Sequence, residues 1–516
     1  MRLLLINPIT YDSIDSFICD SQIRKINSDE PISLMYLSAY IKRELPEITV
    51  CIYDWHIDCL KLLHRSPALY NDSDWLNFIK GHLYFLLNDK INEFKPDTVG
   101  VSGLYEYNAE PFHETLRIVK EVNKNIITVV GGIYPTTCDV SFDKNINHII
   151  KSEAETKLKG LLKWYLEKEK HQNNKSIKSG MFLFVDGIIP KNDYIQNLND
   201  LPLPDRSTIP TGWYASYGRQ LTQRFYKDNC RTASVLISRG CVNACSYCSG
   251  HVITNRDYRH RSIENIVNEI KDLKEQYQIE VFNFQEENPC IDIKFTKSLY
   301  KALIPLKIKW VSQAGFYVHK MDYEFVKLAI DSGVLFFNLA IESGSKEILR
   351  KVKKPVGIIE KAPQVVKWIR ELNPEISITG FFMINFPFET KEDINDTLNL
   401  IEKLDLNCVQ WNSLQCFKGS ELYNYCVERD LLDNKDNTEN FYMNSRIKNE
   451  NELTKEYIDN IINETNLKYN FINNYDFRHG YFERAKRFVE HVLSIDNNHL
   501  EAKKLLERIE NGIEKM

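Results

Sequence analysis

Hydrophobic runs in the first part of the chain alternate with amphipathic stretches of helical period. Strand-like runs occur in RLLLINP, TVCIYDW, TVGVSGL and ITVVGGI, and helical patterns such as PISLMYLSAYIKREL, residues 60–94 and PFHETLRIVKEVN stand between them. This alternation predicts a doubly wound α/β fold, in which helices cover a parallel sheet. Ligands of such sheets bind at the carboxyl ends of the strands.

A change of pattern separates this region from the next one. The run MFLFVDGIIP at residues 181–190 predicts a hairpin, and residues 197–210 (NLNDLPLPDRSTIP) are proline-rich and non-periodic, as in a linker. From Ser234 the strand–helix alternation resumes six times, from SVLISRG to CVQWNSLQ. Six units in one direction predict a partial (β/α)6 barrel, open on one side, with its chemistry on the loops after the strands.

The tail from residue 450 is polar and helical. Residues 480–507 have the spacing of a helical hairpin and are similar to one tetratricopeptide unit, which cannot bury its own face. We interpret the hairpin as a cap on the barrel; the alternative is a surface that holds a peptide substrate or a carrier protein. The predicted organisation is a Rossmann-like domain (1–196), a linker (197–230), the partial barrel (231–430) and a C-terminal α-helical region (431–516).

Composition narrows the class of protein. The 516 residues are 43% hydrophobic, and 66 basic against 71 acidic residues give a net charge of -5 without a basic block. We therefore expect large cores but neither a nucleic-acid nor a membrane partner. The apolar start of MRLLLINP is too short for a signal peptide or a spanning helix. The 12 cysteines are typical of reduced thiols plus one cluster, so we predict a cytoplasmic protein.

Three cysteines stand on the loop after the first predicted barrel strand. Cys241, Cys245 and Cys248 lie within the run CVNACSYC. Thiolates are the usual ligands of iron–sulfur clusters, and three of them leave one iron of a 4Fe-4S cube open. The alternatives are three buried thiols or a zinc site, which needs four ligands and could recruit His251. The position of CxxxCxxC after a barrel strand favours the cluster.

With this motif the sequence resembles the radical SAM superfamily. The resemblance implies that the open iron clamps the amino acid group of S-adenosylmethionine (SAM) beside the electron donor. It extends to AIESGSKEILRKVKKP at residues 340–355 and implicates Glu342 and Ser343 in SAM binding, together with Tyr247 of the cysteine motif.

Two further segments resemble the radical SAM superfamily only in part. The acids Glu286 and Glu287 follow the second barrel strand, where the family often has acidic residues near the SAM amino group; the alternative is a solvated loop. Residues 380–393 (GFFMINFPFETKED) are similar to the family's glycine-rich fifth-strand segment. Asn385 and Phe388 stand where glycines are common, so a plain core strand is an equal alternative.

The N-terminal region resembles cobalamin-binding domains. Ser102-Gly-Leu104 follows one strand and Gly131-Gly132 the next, and glycines let a backbone approach a bulky ligand. The order of these segments ahead of the barrel, with DLPLPDR between, favours a corrinoid over an empty Rossmann-like fold. The resemblance implies cofactor contacts for Ser102, Leu104, Tyr105, Gly131, Gly132 and Tyr134.

The sequence departs from the best-known cobalamin pattern after the first strand. LINPITYDS stands there in place of Asp-x-His-x-x-Gly, so no histidine is available at that point to ligate cobalt. His56 lies after the second strand, and we interpret it as a surface or packing histidine. Tyr105 and Tyr107 are then candidates to lie at the face of the corrinoid where the imidazole is missing. A cobalt without this ligand would be easier to reduce.

The resemblance as a whole implies a cobalamin-dependent radical SAM enzyme that uses a 4Fe-4S cluster, SAM and cobalamin. The first hypothesis is C-methylation of an unactivated carbon of a small molecule or peptide in natural-product biosynthesis, through a 5'-deoxyadenosyl radical and methylcobalamin, with flavodoxin or ferredoxin as external reductant. The second is cyclisation or rearrangement without net methylation. The third is a non-catalytic cobalamin-sensing protein, against which the complete cysteine triad argues.

Overall fold

The chain divides into two compact units. The computed structural model describes residues 1–9, 30–65, 75–106, 109–170, 194–217, 230–312, 314–432, 447–451, 453–495 and 497–513. The first unit comprises Met1–Arg219, Val252–Asn255 and Arg259–Arg261, and the second comprises Gln220–His251, Arg256–Tyr258 and Ser262–Met516. The hairpin expected at 181–190 lies outside the described residues. No helix within them is long and apolar enough to cross a membrane.

A parallel sheet of five strands forms the centre of the first unit. Its order is β2-β1-β3-β4-β5, and the side chains of residues 3–6 in β1 are completely or almost completely buried, as in a strand covered on both faces. The strands are β1 (Arg2–Asn7), β2 (Thr49–Asp54), β3 (Thr98–Ser102), β4 (Ile127–Gly131) and β5 (His148–Ile149). The predicted doubly wound architecture is confirmed. Because the strand order reverses between β1 and β3, a ligand crevice is expected where Asn7 and Ser102 end their strands.

In the described residues of the first unit, seven helices alternate with or follow these strands along the chain. They are α1 (Ile32–Glu44), α2 (Trp55–Arg65), α3 (Trp75–Phe94), α4 (Ala109–Val122), α5 (Ile133–Thr137), α6 (Glu155–Lys170) and α7 (Thr211–Tyr217). The first part of the expected linker packs on α1, because Asp205 accepts hydrogen bonds of 2.6 Å from both Ser38 and Lys42.

Six parallel strands form the centre of the second unit. They are β6 (Thr232–Leu236), β7 (Val281–Gln285), β8 (Lys309–Ser312), β9 (Phe336–Glu342), β10 (Ser377–Ile384) and β11 (Cys408–Ser413). They form two sheets of three strands, β8-β7-β6 and β9-β10-β11, which are joined by the isolated bridges Trp310↔Val334 and Phe316↔Leu339. No pairing in the described residues joins β6 to β11. The predicted partial barrel is therefore confirmed.

Helices follow the barrel strands as predicted, and side chains cap their first turns. Ser262, Asp292 and Asp322 each accept a hydrogen bond from a backbone N–H of the helix that they precede. The helices are α8 (His251–Thr254), α9 (Ile263–Tyr277), α10 (Ile293–Leu303), α11 (Tyr323–Asp331), α12 (Lys346–Lys351), α13 (Ile358–Leu372), α14 (Lys391–Ile401) and α15 (Glu421–Glu428). Two-residue strands lie at Ser238–Arg239 and Arg259–His260.

The C-terminal tail is helical and docks on the last barrel strand. The side chain of Asn470 accepts a hydrogen bond of 2.9 Å from Val409 N–H and donates one of 3.2 Å to the carbonyl of the same residue. The ring of Tyr475 lies 3.7 Å from the Arg370 guanidinium. These contacts fit the interpretation of the tail as a cap. Its elements are α16 (Lys455–Asn466), a π-helical turn (Leu467–Ile472), α17 (Tyr475–Arg478), α18 (Phe482–Ile495) and α19 (Leu500–Ile513).

The loops that follow β3 and β4 approach each other so closely that one position excludes a side chain. Gly132 has a φ of 105°, and a Cβ atom built there would lie 2.3 Å from the carbonyl oxygen of Gly103. Gly103 N–H in turn donates to the carbonyl of Gly131 at 2.8 Å. Glycine at 132 is therefore required by the packing of the protein itself.

Replacing Gly132 with alanine should destabilise the protein by about 2 kcal/mol or more, because the substitution adds backbone strain to a steric overlap. Urea unfolding followed by circular dichroism measures the change. Gly81→Ala is the matched control: Gly81 lies inside α3 with no atom near its built Cβ, so alanine there should stabilise by about 0.5 kcal/mol. Equal effects of the two substitutions would contradict the close approach.

Candidate functional site

The three cysteines lie on the loop that follows β6, at the carboxyl end of the barrel. Cys241 and Cys245 are partly buried, and Cys248 is exposed. A turn brings Cys248 N–H within 3.2 Å of the Cys245 carbonyl, and Gly250 N–H points to the Cys248 sulfur at 3.4 Å. A backbone donor at a sulfur stabilises the thiolate form that binds metals.

Burial raises the pKa of both Cys241 and Cys245, and Lys354 opposes this rise at Cys245. Metal binding must therefore displace their protons. In the described part of the chain no three Cys, His, Asp or Glu side chains are arranged to hold a single ion, and the His251 ring lies against the Cys248 carbonyl. The donor set of three soft thiols on one loop suits an iron–sulfur cluster better than a zinc ion with His251.

A buried ion pair connects this loop to the end of β9. Lys354 Nζ lies 2.7 Å from Glu342 Oε1, and the Tyr247 hydroxyl donates to the same oxygen at 3.1 Å. The Lys354 ammonium also stands 4.9 Å from the centre of the Tyr317 ring. Burial and the Glu342 carboxylate raise the pKa of Tyr247 well above its usual value, so its hydroxyl stays protonated and donates. Two of the predicted SAM-binding residues, Glu342 and Tyr247, thus share one hydrogen-bonded group.

The backbone at Glu342 is unusual for its residue type. Its φ is 70°, and the pairing of β9 with β10 shifts register between Ala340 and Glu342. Non-glycine residues in the left-handed region are uncommon and concentrate at functional sites. The bulge turns the carboxylate away from the regular alternation of the strand.

Ser343, the other residue expected to bind SAM from this segment, is fully buried. Its hydroxyl lies 3.1 Å from the Thr397 hydroxyl and accepts a hydrogen bond of 3.0 Å from Ser345 N–H. Thr397 also accepts from Gly344 N–H at 2.9 Å. In the structure Ser343 organises the loop that begins α12, and its contact with SAM stays a prediction.

The acidic pair after β7 lies at the same end of the barrel. Glu286 is partly accessible, yet burial of its carboxyl raises its pKa to about 8, and the nearby Glu287 adds to the rise. Glu287 is exposed and raises the pKa of Cys241 through its charge, which places it near the cysteine loop. A positively charged ligand would favour the ionised form of Glu286.

The loop after β10 accommodates the residues that replace the family's glycines. Asn385 adopts a φ of 71°, a conformation that asparagine tolerates better than most residues. One carboxyl oxygen of Glu389 accepts hydrogen bonds from Asn385 N–H at 2.6 Å and Phe386 N–H at 3.2 Å. Phe388 is buried and its ring stacks on that of Phe386 at 6.1 Å. The segment is therefore a loop of defined conformation that follows a core strand.

The predicted corrinoid residues of the first unit gather at the carboxyl ends of β3 and β4. Ser102 is partly buried, and its hydroxyl has no hydrogen-bond partner in the described residues. Leu104 keeps 42% of its surface exposed, and Tyr105 is partly buried. Gly131 is the last residue of β4, and Gly132 follows it. These features fit a large ligand: Ser102 offers a hydroxyl, Leu104 offers an exposed apolar side chain, and the glycines leave room beside the backbone. They lie at or next to β3, where the strand order of the sheet reverses.

Tyr134 differs from these residues because it is buried and already bonded. Its hydroxyl lies 3.1 Å from His113 Nε2, and His113 Nδ1 lies 2.6 Å from Asp143. Tyr134 N–H donates to the Gly103 carbonyl at 3.1 Å. Tyr134 therefore braces the two loops, and a direct contact with a corrinoid stays a prediction. Tyr107 lies outside the described residues.

His56 is a packing histidine in the structure. It is 6% exposed, and its Nδ1 lies 2.9 Å from Asp54, which also accepts hydrogen bonds from Asn7 at 3.2 Å and from the hydroxyl of Tyr214. This buried polar group links the carboxyl ends of β1 and β2.

Sequence reasoning missed three residues that shape the barrel site: Lys354, Glu389 and Thr397. Lys354 was visible only as one of several lysines in RKVKKP, and nothing in the sequence indicates that its ammonium returns to Glu342. Glu389 and Thr397 act on backbone groups of loops whose course the sequence does not specify.

Comparisons with known proteins agree with this architecture. Residues 235–401 match the Radical SAM superfamily. Cytidylyl-2-hydroxyethylphosphonate methyltransferase of Streptomyces wedmorensis is 24% identical over 443 residues, which cover 78% of this chain and 79% of that protein.

Two solved structures share the fold. The radical S-adenosylmethionine methyltransferase TsrM from Kitasatospora setae, with tryptophan substrate and a SAM analogue bound, has a TM-score of 0.61 at 16% identity and covers 88% of this chain and 82% of its own. The cobalamin-dependent S-adenosylmethionine radical enzyme OxsB, with aqua-cobalamin and SAM bound, has a TM-score of 0.66 at 15% identity, over 99% of this chain and 71% of its own.

Replacing Glu389 with glutamine should remove a pH-dependent cost to stability. Burial raises the pKa of Glu389 from 4.5 to about 8, so the folded protein keeps a proton that the unfolded chain releases. The wild-type free energy of unfolding should therefore fall as the pH rises from 4.5 to about 8 and then level off. Glu389→Gln keeps an oxygen acceptor and should lose the part of this decline that Glu389 contributes; Glu286, whose pKa is also raised to about 8, keeps contributing its own part.

Urea unfolding at several pH values between about 5 and 8 measures the difference between the two proteins. Glu392→Gln is the matched control, since Glu392 is exposed in the first turn of α14. Parallel pH profiles of wild type and Glu389→Gln would refute the buried-acid interpretation.

Proposed function

We propose that this chain, which belongs to the radical SAM superfamily, is a cobalamin-dependent methyltransferase that acts on an unactivated carbon. The observation that carries the proposal is the cysteine loop after β6, tied by Tyr247 to the buried pair of Glu342 and Lys354. When bound, a 4Fe-4S cluster would supply the electron that cleaves SAM, and a corrinoid would supply the methyl group.

The barrel residues would bind and orient SAM. Cys241, Cys245 and Cys248 would hold the cluster, and three protein ligands would leave one iron free for the SAM amino acid group. Glu287 and Glu286 offer carboxylates to the SAM ammonium, and Lys354 offers an ammonium to the SAM carboxylate while it stays paired with Glu342.

The first unit would bind the corrinoid at the crevice where Ser102 ends β3. The Ser102 hydroxyl would donate a hydrogen bond to the ligand, the exposed side chain of Leu104 would pack on it, and Gly131 and Gly132 would let the backbone approach it. Tyr134 holds the two loops together through His113. Sequence similarity to a methyltransferase over 79% of that protein's length supports methyl transfer.

We infer that the substrate is a small molecule or peptide of natural-product biosynthesis, since the relatives include a cytidylyl-2-hydroxyethylphosphonate methyltransferase and a methyltransferase with bound tryptophan. The electron comes from an external reductant of the flavodoxin or ferredoxin type, because no second CxxxCxxC motif occurs in the sequence. An exposed cluster iron and reduced thiols suit the reducing cytoplasm.

Anaerobic reconstitution with iron, sulfide and hydroxocobalamin tests the proposal. Mass spectrometry under strong reductant should find 5'-deoxyadenosine from wild type, accompanied by a stoichiometric corrinoid. Cys245→Ala should yield no deoxyadenosine, because it removes a cluster ligand, and should keep the corrinoid, because Cys245 lies in the other unit. Absence of deoxyadenosine from wild type would refute the radical SAM activity, and its formation without a bound corrinoid would refute the corrinoid site.

Replacing Ser102 with alanine should weaken corrinoid binding about fivefold, the effect of one lost hydrogen bond of about 1 kcal/mol. Equilibrium dialysis with hydroxocobalamin measures the affinity. Ser207→Ala is the matched control, an exposed serine of the same unit. Unchanged affinity of Ser102→Ala would place the corrinoid elsewhere.

The alternative function keeps both cofactors and ends in cyclisation or rearrangement. S-adenosylhomocysteine formed together with deoxyadenosine indicates methyl transfer, whereas deoxyadenosine alone favours rearrangement. A cobalamin-sensing protein would bind the corrinoid and cleave no SAM.

A further inference from the structure

Two cysteines outside the CxxxCxxC motif lie in contact with each other. Cys416 follows β11, Cys426 lies in α15, and their sulfur atoms are 3.4 Å apart. Cys416 is partly buried and Cys426 is completely buried. In a disulfide the sulfurs are about 2.05 Å apart, so the two side chains need to approach by little more than 1 Å.

The two thiols also form a hydrogen bond with each other. Cys416 donates its S–H to the Cys426 sulfur, and this hydrogen bond lowers the pKa of Cys426 and raises that of Cys416. A thiol that is more easily deprotonated is the better nucleophile near neutral pH. One member of the pair is therefore prepared to attack a sulfur bound to the other.

The surroundings of the pair connect it to the cysteine loop. Cys426 belongs to an apolar cluster with Val352 and Leu422, against which Tyr247 and Cys416 pack. Leu422 N–H, in the first turn of α15, donates to the Ser246 carbonyl at 2.8 Å. Ser246 N–H donates to the Val352 carbonyl at 3.2 Å. Ser246 stands between Cys245 and Tyr247, so α15 is bonded to the motif itself.

We propose that Cys416 and Cys426 form a reversible disulfide with a low-molecular-weight disulfide as oxidant, and that this modification disturbs the loop that carries Cys241, Cys245 and Cys248. In the reaction the thiolate of Cys416, the partly accessible member of the pair, attacks the small disulfide and releases one small thiol. The second cysteine thiolate attacks the mixed disulfide and releases the other. Two electrons leave the cysteine pair, and its two protons end on the two small thiols.

The disturbance follows from close packing. A core at the density of a crystal does not absorb a shift of more than 1 Å at one contact without moving its neighbours. Here the neighbours are the first turn of α15 and the backbone of Ser246. Oxidation of the pair would therefore change the environment of the cysteine loop without a reaction at Cys241, Cys245 or Cys248 themselves.

The experiment uses the full chain reconstituted with its cluster under anaerobic conditions. The protein is incubated with oxidised glutathione, alkylated, digested and examined by mass spectrometry for a peptide linked through Cys416 and Cys426. The linked peptide should form in wild type, disappear on treatment with dithiothreitol, and be absent from Cys416→Ser and Cys426→Ser. Cys51→Ser is the matched control, a partly buried cysteine of β2, and should behave as wild type.

The second readout is the visible absorbance of the cluster together with the rate of deoxyadenosine formation. Oxidised wild type should lose about threefold or more in rate and recover on reduction, while Cys416→Ser should keep its rate in the same oxidant. Absence of the linked peptide would overturn the proposal, and so would a linked peptide without change in rate or absorbance. Because peptide linkage does not require SAM cleavage, failure of the proposed function is distinguishable from failure of this inference.

Discussion

The arrangement of the barrel site depends on the buried ion pair between Glu342 and Lys354. A charge taken out of water is costly unless a partner and hydrogen bonds compensate it, and here each charge compensates the other at 2.7 Å. The pair fixes a carboxylate that the bulge in β9 has turned out of the strand, and that carboxylate holds Tyr247 of the cysteine loop. The cysteine loop, the end of β9 and the segment that follows α12 are therefore positioned together.

Other loops at this end of the barrel are held in the same manner, by a buried polar group that binds backbone donors. Glu389 accepts from two amides of the loop after β10, and Thr397 of α14 accepts from Gly344 in the loop after β9. Such groups fix the position of a loop without occupying the space that it encloses. They form the supporting layer that a cofactor site needs for a defined geometry.

The sequence predicts the fold well because hydrophobic periodicity records which faces are buried. The strands from β1 to β4 and from β7 to β11 fall in expected runs, β6 begins two residues before its expected run, and the cysteine loop lies where the motif indicates. The site is predicted less completely, since its geometry depends on side chains that return to a loop from a distance. The pairing of Lys354 with Glu342, the contact of Cys416 with Cys426 and the burial of Ser343 all follow from turns whose course has no sequence signal. At position 385 the sequence shows only that the expected glycine is missing. In the structure, Asn385 adopts the left-handed conformation that a glycine would adopt.

Because the tail docks on β11, this strand stays unprotected until the tail has been synthesised. β11 is an edge strand, and the amide of Asn470 binds the outward N–H and carbonyl of Val409 as a neighbouring strand would. Asn407, one residue before the same strand, donates to Asp476 at 2.7 Å. During synthesis the ribosome releases these tail residues about sixty positions after the strand that they protect. Until then the barrel carries an open edge, which is a template for unwanted strand pairing. Shortened chains that end before the tail would keep that edge permanently, so the full length of the chain matters for producing soluble protein even though the tail lies far from the cysteines in sequence.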